Sequence, residues 1–217
     1  MGDKPAKTLV TWLQLLRQNK VIAVIRSPRL EVGLALAEAV AAGGIKLIEI
    51  TWNSHQPAEL ISKLNFILPN CTIGTGTILT PSAFLLAVEA GAKFAFSPST
   101  NLALLAMAQT TGIPFIPGAL TPTEIVTAWQ QGASSIKVFP IKMMGGADYL
   151  KTLQSPLGHI PLIPTGGVTI DNAKQMLDAG AIAVGISSNL FPSKLVKNQN
   201  WQAIQARVEE LLEKISH

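Results

Sequence analysis

The chain has 217 residues, 48% of them hydrophobic and only 14% charged, and its formal net charge is +4. This length suits one large domain over residues 1–217 better than two small cores. Lysine and arginine form no basic run, so we expect no nucleic-acid partner and prefer small anionic ligands. No apolar run reaches the ~18 residues of a spanning helix, so we expect no membrane partner. The charged fraction is well below the roughly 25% of an average domain, which predicts extensive burial and an oligomer.

The cysteine and histidine content also limits the class of protein. The first residues, "MGDKPAKTLVTWLQ", contain no apolar segment followed by a cleavage site, and the single Cys71 cannot form an internal disulfide. Both features predict a cytoplasmic protein. His55, His159 and His217 lie at no metal-ligand spacing from one another or from carboxylates. We therefore expect neither a metal site nor another cofactor.

A helix end, a glycine and a short apolar run recur along the chain. A glycine after a helix is typical of the left-handed residue that ends it, and a short apolar run is typical of a strand buried on both faces. The stretches are 39–50, 87–97, 108–118, 128–140 and 176–187. Each one predicts a step from a helix to a strand of a parallel sheet.

In chain order, an amphipathic helix at 8–19 precedes a series of alternating strands and helices. The strands are predicted near 21–26, 45–50, 72–78, 93–97, 114–118, 135–140, 161–165 and 181–186. The helices between and after them are predicted near 31–42, 57–66, 81–90, 101–110, 122–131, 146–154, 171–179 and 200–215. This series predicts an α/β fold, a (β/α)8 TIM barrel with an extra N-terminal helix; a doubly wound open sheet is the alternative. In such a barrel, functional side chains lie at the carboxyl ends of the strands.

Lys137 lies in "SSIKVFP", whose other residues are typical of a buried strand. Side chains alternate along a strand, so Ile136 and Val138 are expected to face the helices and Lys137 to point into the barrel. Burial favours the neutral amine, which is the form that attacks a carbonyl carbon. A structural lysine paired with a buried glutamate is the alternative.

Glu49 lies in a second apolar strand, "LIEIT". A buried carboxylate near a lysine can serve as general acid and general base, although it could equally be only the counter-ion of that lysine. Other polar residues end the predicted strands and are expected to line the same opening. They are Arg26, Thr51, Asn53, Thr75, Thr77, Ser97, Thr165, Ser187 and Ser188.

A phosphate site is predicted in the loops after the last two strands, where "PTGGV" and "GISS" occur. Backbone N–H groups of paired glycines beside a helix N-terminus bind phosphate, and these loops are the usual phosphate site of barrels. A glycine pair that forms only a turn is the alternative. The expected phosphate-binding residues are Thr165, Gly166, Gly167, Ser187 and Ser188.

Five segments, "IEIT", "IGTGTIL", "FSPS", "IKVFP" and "PTGGV", together resemble the class I 2-keto-3-deoxy-6-phosphogluconate aldolase family in order and spacing. This family includes 4-hydroxy-2-oxoglutarate aldolases and 2-keto-3-deoxy-6-phosphogalactonate aldolases. The resemblance covers nearly the whole chain. It implies a homotrimer of (β/α)8 barrels that reversibly cleaves its substrate to pyruvate and an aldehyde, glyceraldehyde 3-phosphate or glyoxylate, without a metal.

The resemblance also implies roles for individual residues. Lys137 matches the Schiff-base lysine, Glu49 the general acid and base, and Thr77 a residue that helps to hold the pyruvate carboxylate. Gly166 and Gly167, with Ser187, match the phosphate-binding positions. The residues expected to line the pocket are Thr51, Asn53, Pro98 and Phe139.

Asn53 departs from the gluconate type, in which an arginine at this position binds the substrate carboxylate. An amide cannot supply the charged fork of a guanidinium group. Arg26 at the end of the first strand, combined with Asn53, resembles the galactonate type and some bifunctional members, so we expect Arg26 to bind the carboxylate. Pairing of Arg26 with Glu49 is the alternative. A second departure is Ile186, which stands where a small residue is common in the phosphate loop.

Two other functions compete with the aldolase. One is another phosphate-binding barrel enzyme, such as an isomerase or a thiamine-phosphate-synthase-like transferase, which has no need of an inward lysine. The other is a catalytically silent barrel that binds a phosphorylated metabolite. The preferred hydroxy-keto acid is left open, because it depends on the shape of the pocket.

Overall fold

The computed structural model describes residues 4–216, with side chains from residue 11 onward. Its strands are β1 (Val21–Ile25), β2 (Leu47–Thr51), β3 (Thr72–Gly76), β4 (Ala95–Phe96), β5 (Phe115–Ile116), β6 (Gly118–Ala119), β7 (Ile136–Val138), β8 (Leu162–Pro164) and β9 (Val184–Ile186). Its α-helices are α1 (Lys4–Asn19), α2 (Leu30–Ala42), α3 (Pro57–Ile67), α4 (Pro81–Glu89), α5 (Leu102–Thr111), α6 (Pro122–Gln130), α7 (Ala147–Leu157), α8 (Ala173–Asp178), α9 (Ser193–Lys197) and α10 (Trp201–Ser216).

All paired strands are parallel, and helices separate most of them in the sequence. One sheet has the order β5-β4-β3-β2-β1-β9, and a second sheet has the order β6-β7-β8. An isolated bridge between Thr165 and Gly185 extends from the end of β8 to β9. The predicted α/β class is therefore confirmed, as a parallel, sequentially ordered sheet of half-barrel form.

The fifth predicted strand, 114–118, is divided into β5 and β6 by Pro117. Proline has no backbone N–H to donate to a neighbouring strand, so the ladder is interrupted there. Two short helical segments were not expected from the sequence: α9 and a 3₁₀ helix at Ile141–Met144. Both are shorter than two turns, and such segments carry too few residues to show a helical period.

The glycines of the repeated phrases end their helices in the left-handed region, as predicted. Such a backbone lets the chain leave the helix and enter the next strand, and a residue without Cβ adopts it most easily. Their φ angles are 108° for Gly44, 93° for Gly91, 71° for Gly112, 86° for Gly132 and 99° for Gly180.

Alternation along the strands sorts the apolar residues into two clusters. In β1, Val21, Ala23 and Ile25 belong to the large cluster that includes the helices. Ile22 and Val24 belong to a smaller cluster on the other face of the strands. This period of two is the expected geometry of a strand buried on both faces. The smaller cluster consists of Trp12, Leu16, Ile22, Val24, Leu47, Phe94, Phe96, Ile116, Ile163 and Ala183.

Helix α1 packs against this inner cluster. The indole ring of Trp12 lies 5.0 Å from the ring of Phe94, centroid to centroid, and its Nε1 donates a hydrogen bond of 3.1 Å to Ser135 Oγ. Ser135 directly precedes β7, so α1 closes the inner cluster at the amino ends of the strands. Among the described residues, none of the helices is long and apolar enough to cross a membrane.

Candidate active site

Lys137 is the central residue of β7, and its side chain is only 6% exposed. Ile136 and Val138 belong to the helix-facing cluster, so alternation turns Lys137 to the inner face, as predicted. Its Nζ lies 5.1 Å from the ring centroid of Phe139 and 5.7 Å from that of Phe96. The amine therefore lies over the faces of two aromatic rings, which attract a cationic charge.

Glu49, in the middle of β2, is 1% exposed. In the described part of the chain, its Oε1 is a buried side-chain oxygen without a hydrogen-bond partner. Burial raises the pKa of Glu49 above its ordinary value of 4.5, whereas the positive charges of Lys137 and Arg26 act to lower it. Burial and the two cations thus act on the pKa of Glu49 in opposite directions. The buried Oε1 atom has no hydrogen-bond partner among the described residues and can accept a bond from a ligand.

Direct ion pairs do not neutralise this group. Among the described residues, the salt bridges within 4.0 Å join exposed side chains at other places in the fold. Neither the Lys137–Glu49 pair nor the Arg26–Glu49 pair is among them. The electrostatic interaction of Glu49 with the two cations therefore acts over more than 4.0 Å.

Gly76, the last residue of β3, was not singled out from the sequence. A Cβ atom built on Gly76 would lie 1.6 Å from Glu49 Oε1 and 2.3 Å from its Cδ. The carboxylate of Glu49 therefore occupies the space that any other residue at position 76 would fill. The segment "GTGT" contains two glycines, Gly74 and Gly76. The structure shows that Gly76 is the one that makes room for Glu49, on the neighbouring strand β2.

The residues expected to bind the carboxylate, Arg26 and Thr77, lie at the carboxyl ends of β1 and β3, and two expected pocket residues, Thr51 and Asn53, lie at the end of β2. Arg26 and Asn53 are exposed, and Thr51 is buried with its hydroxyl 3.2 Å from that of Ser54. Thr77 is half-buried and adopts a left-handed backbone with φ of 61°. Asn53 and Thr77 line one cavity of about 360 Å³ together with Trp52, Thr80, Ser82, Ala83 and two leucines, Leu79 and Leu86.

The glycine loop lies beside Phe139 and Lys142. Gly166 has a φ of 82°, and a Cβ atom there would lie 2.9 Å from the ring of Phe139. Gly167 has a φ of 100°, and its Cβ position lies 2.3 Å from Cβ of Lys142. The loop therefore leaves no room for side chains at either glycine. Gly166 is half-buried and Gly167 is exposed.

The remaining predicted phosphate residues differ in their surroundings. Thr165 is buried, and its hydroxyl lies against Gly185, where a Cβ would be 2.6 Å away. Ser187 is half-buried and donates its hydroxyl proton to the carbonyl of Val24 at 2.8 Å, so its oxygen is left as an acceptor. Ser188 is exposed. Pro98 is half-buried and lies beside Gly118, the first residue of β6.

Lys142 is a cation at this site that was not identified from the sequence. Its aliphatic stem lies along Gly167, with Cδ 3.0 Å from the built Cβ, and the ammonium group is two bonds further along. The side chain is exposed, and none of the salt bridges of the described chain includes it. The sequence gives no indication that Lys142 contacts Gly167, because the two residues are 25 positions apart.

No group of three or more histidine, cysteine, aspartate or glutamate side chains that could hold a metal ion occurs in the residues that the structure describes. The candidate site thus consists of a buried lysine, a buried carboxylate, an arginine at the rim and a glycine loop.

Comparison with known proteins shows what the whole chain is similar to. The 2-dehydro-3-deoxy-phosphogluconate aldolase of Haemophilus influenzae is 31% identical over 201 residues, which are 93% of this chain and 95% of that protein. A crystal structure of KDPG aldolase from Legionella pneumophila, with pyruvate captured at low pH as a covalent carbinolamine intermediate, has a TM-score of 0.85 and 33% identity. It covers 92% of this chain and 97% of its own.

A native KDPGal structure is similar as well, with a TM-score of 0.81 and 28% identity over 89% of this chain and 92% of that one. The model of the family described as "KDPG and KHG aldolase" matches residues 13–207. The matched region includes every residue of the candidate site. The chain belongs to the KDPG and KHG aldolase family.

Proposed function

We propose that the chain is a class I aldolase that reversibly cleaves a 2-keto-3-deoxy-6-phospho sugar acid or 4-hydroxy-2-oxoglutarate to pyruvate and an aldehyde. The observation that carries the proposal is the buried amine of Lys137, which faces the same interior as the unpaired carboxylate oxygen of Glu49. The Legionella relative, whose structure contains pyruvate as a covalent carbinolamine, supports the same chemistry.

The first half of the reaction joins the substrate to the enzyme. The Nζ atom of Lys137 adds to the C2 keto carbon and forms a carbinolamine. Glu49 donates a proton to the C2 oxygen, which leaves as water, and an iminium ion remains. Because burial raises the pKa of Glu49, this carboxyl group retains a proton more readily than an exposed one and is suited to this step.

The second half breaks the C3–C4 bond. The carboxylate of Glu49 removes the proton of the C4 hydroxyl, the electrons of the C3–C4 bond move into the iminium, and the aldehyde leaves. The resulting enamine takes at C3 the proton that Glu49 has just accepted, and water hydrolyses the iminium to release pyruvate and free Lys137. The strands hold both groups in fixed positions, so little motion is needed between the steps.

We infer that Arg26 and Thr77 bind the substrate carboxylate, because Asn53 carries no charge. Arg26 is exposed at the carboxyl end of β1, and its positive charge acts to lower the pKa of Glu49. Thr51, Asn53, Pro98 and Phe139 would line the pocket. The native KDPGal relative supports a galactonate-type substrate as one of the three candidates. Comparison of kcat/KM for the gluconate-type, galactonate-type and hydroxyoxoglutarate substrates measures the preference.

For the phosphate group, we propose Thr165, Gly166, Gly167, Ser187 and Ser188. Because the Ser187 hydroxyl proton is donated to the Val24 carbonyl, Ser187 would bind the phosphate through its backbone N–H. The left-handed backbone of the two successive glycines supports this assignment. The ammonium group of Lys142 adds a positive charge beside Gly167, which the glycine loop by itself lacks.

We also infer that the two sheets close into one (β/α)8 barrel in which β5 and β6 form a single interrupted strand, with α1 as an extra N-terminal helix. The Thr165–Gly185 bridge supports closure on the other side. A homotrimer is supported by the low charge content and by exposed leucines beside the Asn53 cavity. A cytoplasmic location is proposed on the single Cys71.

Reductive trapping tests the proposed function. Incubation with pyruvate and sodium borohydride, followed by digestion and mass spectrometry, should give a reduced pyruvyl adduct on Lys137. Lys137→Arg should abolish both the adduct and turnover, because guanidinium is not a nucleophile at neutral pH. Lys142→Arg is the matched control and should retain the adduct. An adduct on a different lysine, or its absence from the wild-type protein, would favour the catalytically silent barrel.

A further inference from the structure

A second cavity, of about 460 Å³, lies at the end of the strands opposite to Arg26 and the glycine loop. Lys20 directly precedes β1, Pro161 directly precedes β8, and Ile182 lies two residues before β9. These three strands are neighbours in space, so their amino ends form one wall of the cavity. At ~3.3 Å per residue, Lys20 and Arg26 are roughly 20 Å apart along β1, which separates this cavity from the candidate active site.

The charges around this cavity are unbalanced. Arg17, Lys20 and Lys174 are its cations, and Asp178 is the carboxylate among its lining residues. Lys174 contacts both carboxylate oxygens of Asp178, at 3.1 and 3.0 Å, so this acid is already paired. Within residues 11–216, neither Arg17 nor Lys20 takes part in a salt bridge. Among residues 11–216, the lining side chains therefore carry a formal charge of +2, from three cations and one acid, without counting His159.

The backbone of Lys20 does not favour a lysine. Its φ is 58°, in the left-handed region, where glycine or asparagine is preferred. Its N–H donates to Leu16 at the end of α1, and its carbonyl accepts from Val184 of β9, each at 2.8 Å. These two bonds hold the residue in place between a helix and the sheet. The backbone conformation would favour glycine, so the turn gives no reason for a lysine at this position. The side chain of Lys20 instead lines the cavity.

The cavity also has apolar walls, from Leu177, Ile182 and Ile215 among others. Its volume is within the range of pockets that hold organic ligands, and it exceeds the needs of a bare phosphate ion. We propose that this cavity binds a small organic phosphate, whose anionic group contacts Arg17 and Lys20 and whose body lies against the apolar walls. A guanidinium group binds phosphate through two parallel hydrogen bonds, and a nearby ammonium adds a second charge.

Isothermal titration calorimetry with adenosine 5′-monophosphate tests this proposal, with adenosine and inorganic phosphate as partial probes. We expect saturable binding of the monophosphate to the wild-type protein and no measurable binding of adenosine. The double variant Arg17→Gln/Lys20→Gln should weaken binding at least ten-fold. Lys194→Gln/Lys197→Gln removes the same charge from the exposed face of α9 and should leave the affinity unchanged.

Two further measurements keep the result interpretable. Lys20→Gly removes the charge and suits the left-handed backbone, so it should weaken binding without loss of thermal stability. Hydrogen–deuterium exchange with the monophosphate should slow the amides of 158–160 and 180–182, and not those of the glycine loop at 165–168. Absence of saturable binding, equal affinity in the Arg17/Lys20 variant, or protection confined to 165–168 would each overturn the proposal. Because the two sites are separate, these outcomes do not depend on the Lys137 trapping result.

Discussion

Glu49 is the residue at which burial and charge oppose each other most directly. Burial favours the protonated carboxyl, whereas Lys137 and Arg26 favour the carboxylate. The balance is a raised pKa, which lets one group both donate a proton at dehydration and accept one at bond cleavage. Both cations therefore tune the acid and base strength of Glu49 as well as contacting substrate in the proposed mechanism.

This balance predicts a pH effect. Bond cleavage needs the carboxylate of Glu49, so the acidic limb of the kcat/KM profile should lie above pH 4.5, the ordinary pKa of the group. Arg26→Gln removes a charge that lowers this pKa, so the limb should move to higher pH, while pyruvate affinity should fall. Arg29→Gln, in the same loop but paired with Glu31, is the control and should leave the limb in place. An identical limb in both variants would contradict the role of Arg26.

Gly76 is predicted to position Glu49. Gly76→Ala would place a methyl group where Glu49 Oε1 now lies, so the carboxylate must move. A displacement of about 1 Å at a catalytic group can cost on the order of 10²-fold in rate, and we expect a loss in kcat of this order. Overpacking at the same site should reduce the free energy of unfolding by roughly 1–3 kcal/mol.

The double variant Gly76→Ala/Glu49→Gln separates the two effects of this substitution. If Gly76 acts through Glu49, the alanine should add almost no further loss of kcat once the carboxylate is gone. Two independent, multiplicative losses would instead indicate a general distortion of β3.

At the scale of elements, α1 stabilises the inner cluster through Trp12. The indole is 2% exposed and contacts the rings of Phe94 and Phe96. Trp12→Ala should lower the free energy of unfolding by about 3–5 kcal/mol, as measured by urea denaturation. Ser135→Ala removes only the hydrogen-bond partner of the indole and should cost about 1–3 kcal/mol because the Nε1 proton is left buried. A loss under about 1 kcal/mol for Trp12→Ala would show that α1 is not part of the core.

At the scale of the whole molecule, the exposed leucines predict where subunits meet. Leu79 and Leu86 are 54% and 52% exposed and line the same cavity as Asn53 and Thr77. Light scattering should give a mass near three times 23.0 kDa for the wild-type protein. Leu86→Glu places a charge on this apolar surface and should shift the mass towards one chain. Gln131→Glu adds the same charge to an exposed polar position and should not; a wild-type mass for Leu86→Glu would exclude this surface from the interface.

The local parts of the fold were predictable because they depend on local chemistry. Glycines in the left-handed region and short apolar runs placed the strands to within a few residues, and a period of two placed Lys137 and Glu49 on the inner face. Proline effects were only partly anticipated. Pro117 divides a strand because proline has no backbone N–H to donate. Whether a missing N–H interrupts the sheet depends on whether a neighbouring strand has a carbonyl facing it.

The amino-acid sequence by itself determined the residue types of the site, the order of helices and strands, and the side of each strand on which its residues lie. Only the tertiary structure decided that Gly76 makes room for Glu49, that Lys142 lies along Gly167, and that Arg17 and Lys20 share a cavity with Lys174. Side-chain alternation is a property of one strand and can be read from spacing. Contacts between distant segments depend on the register and stagger of neighbouring strands, which the spacing of residues in one segment does not encode.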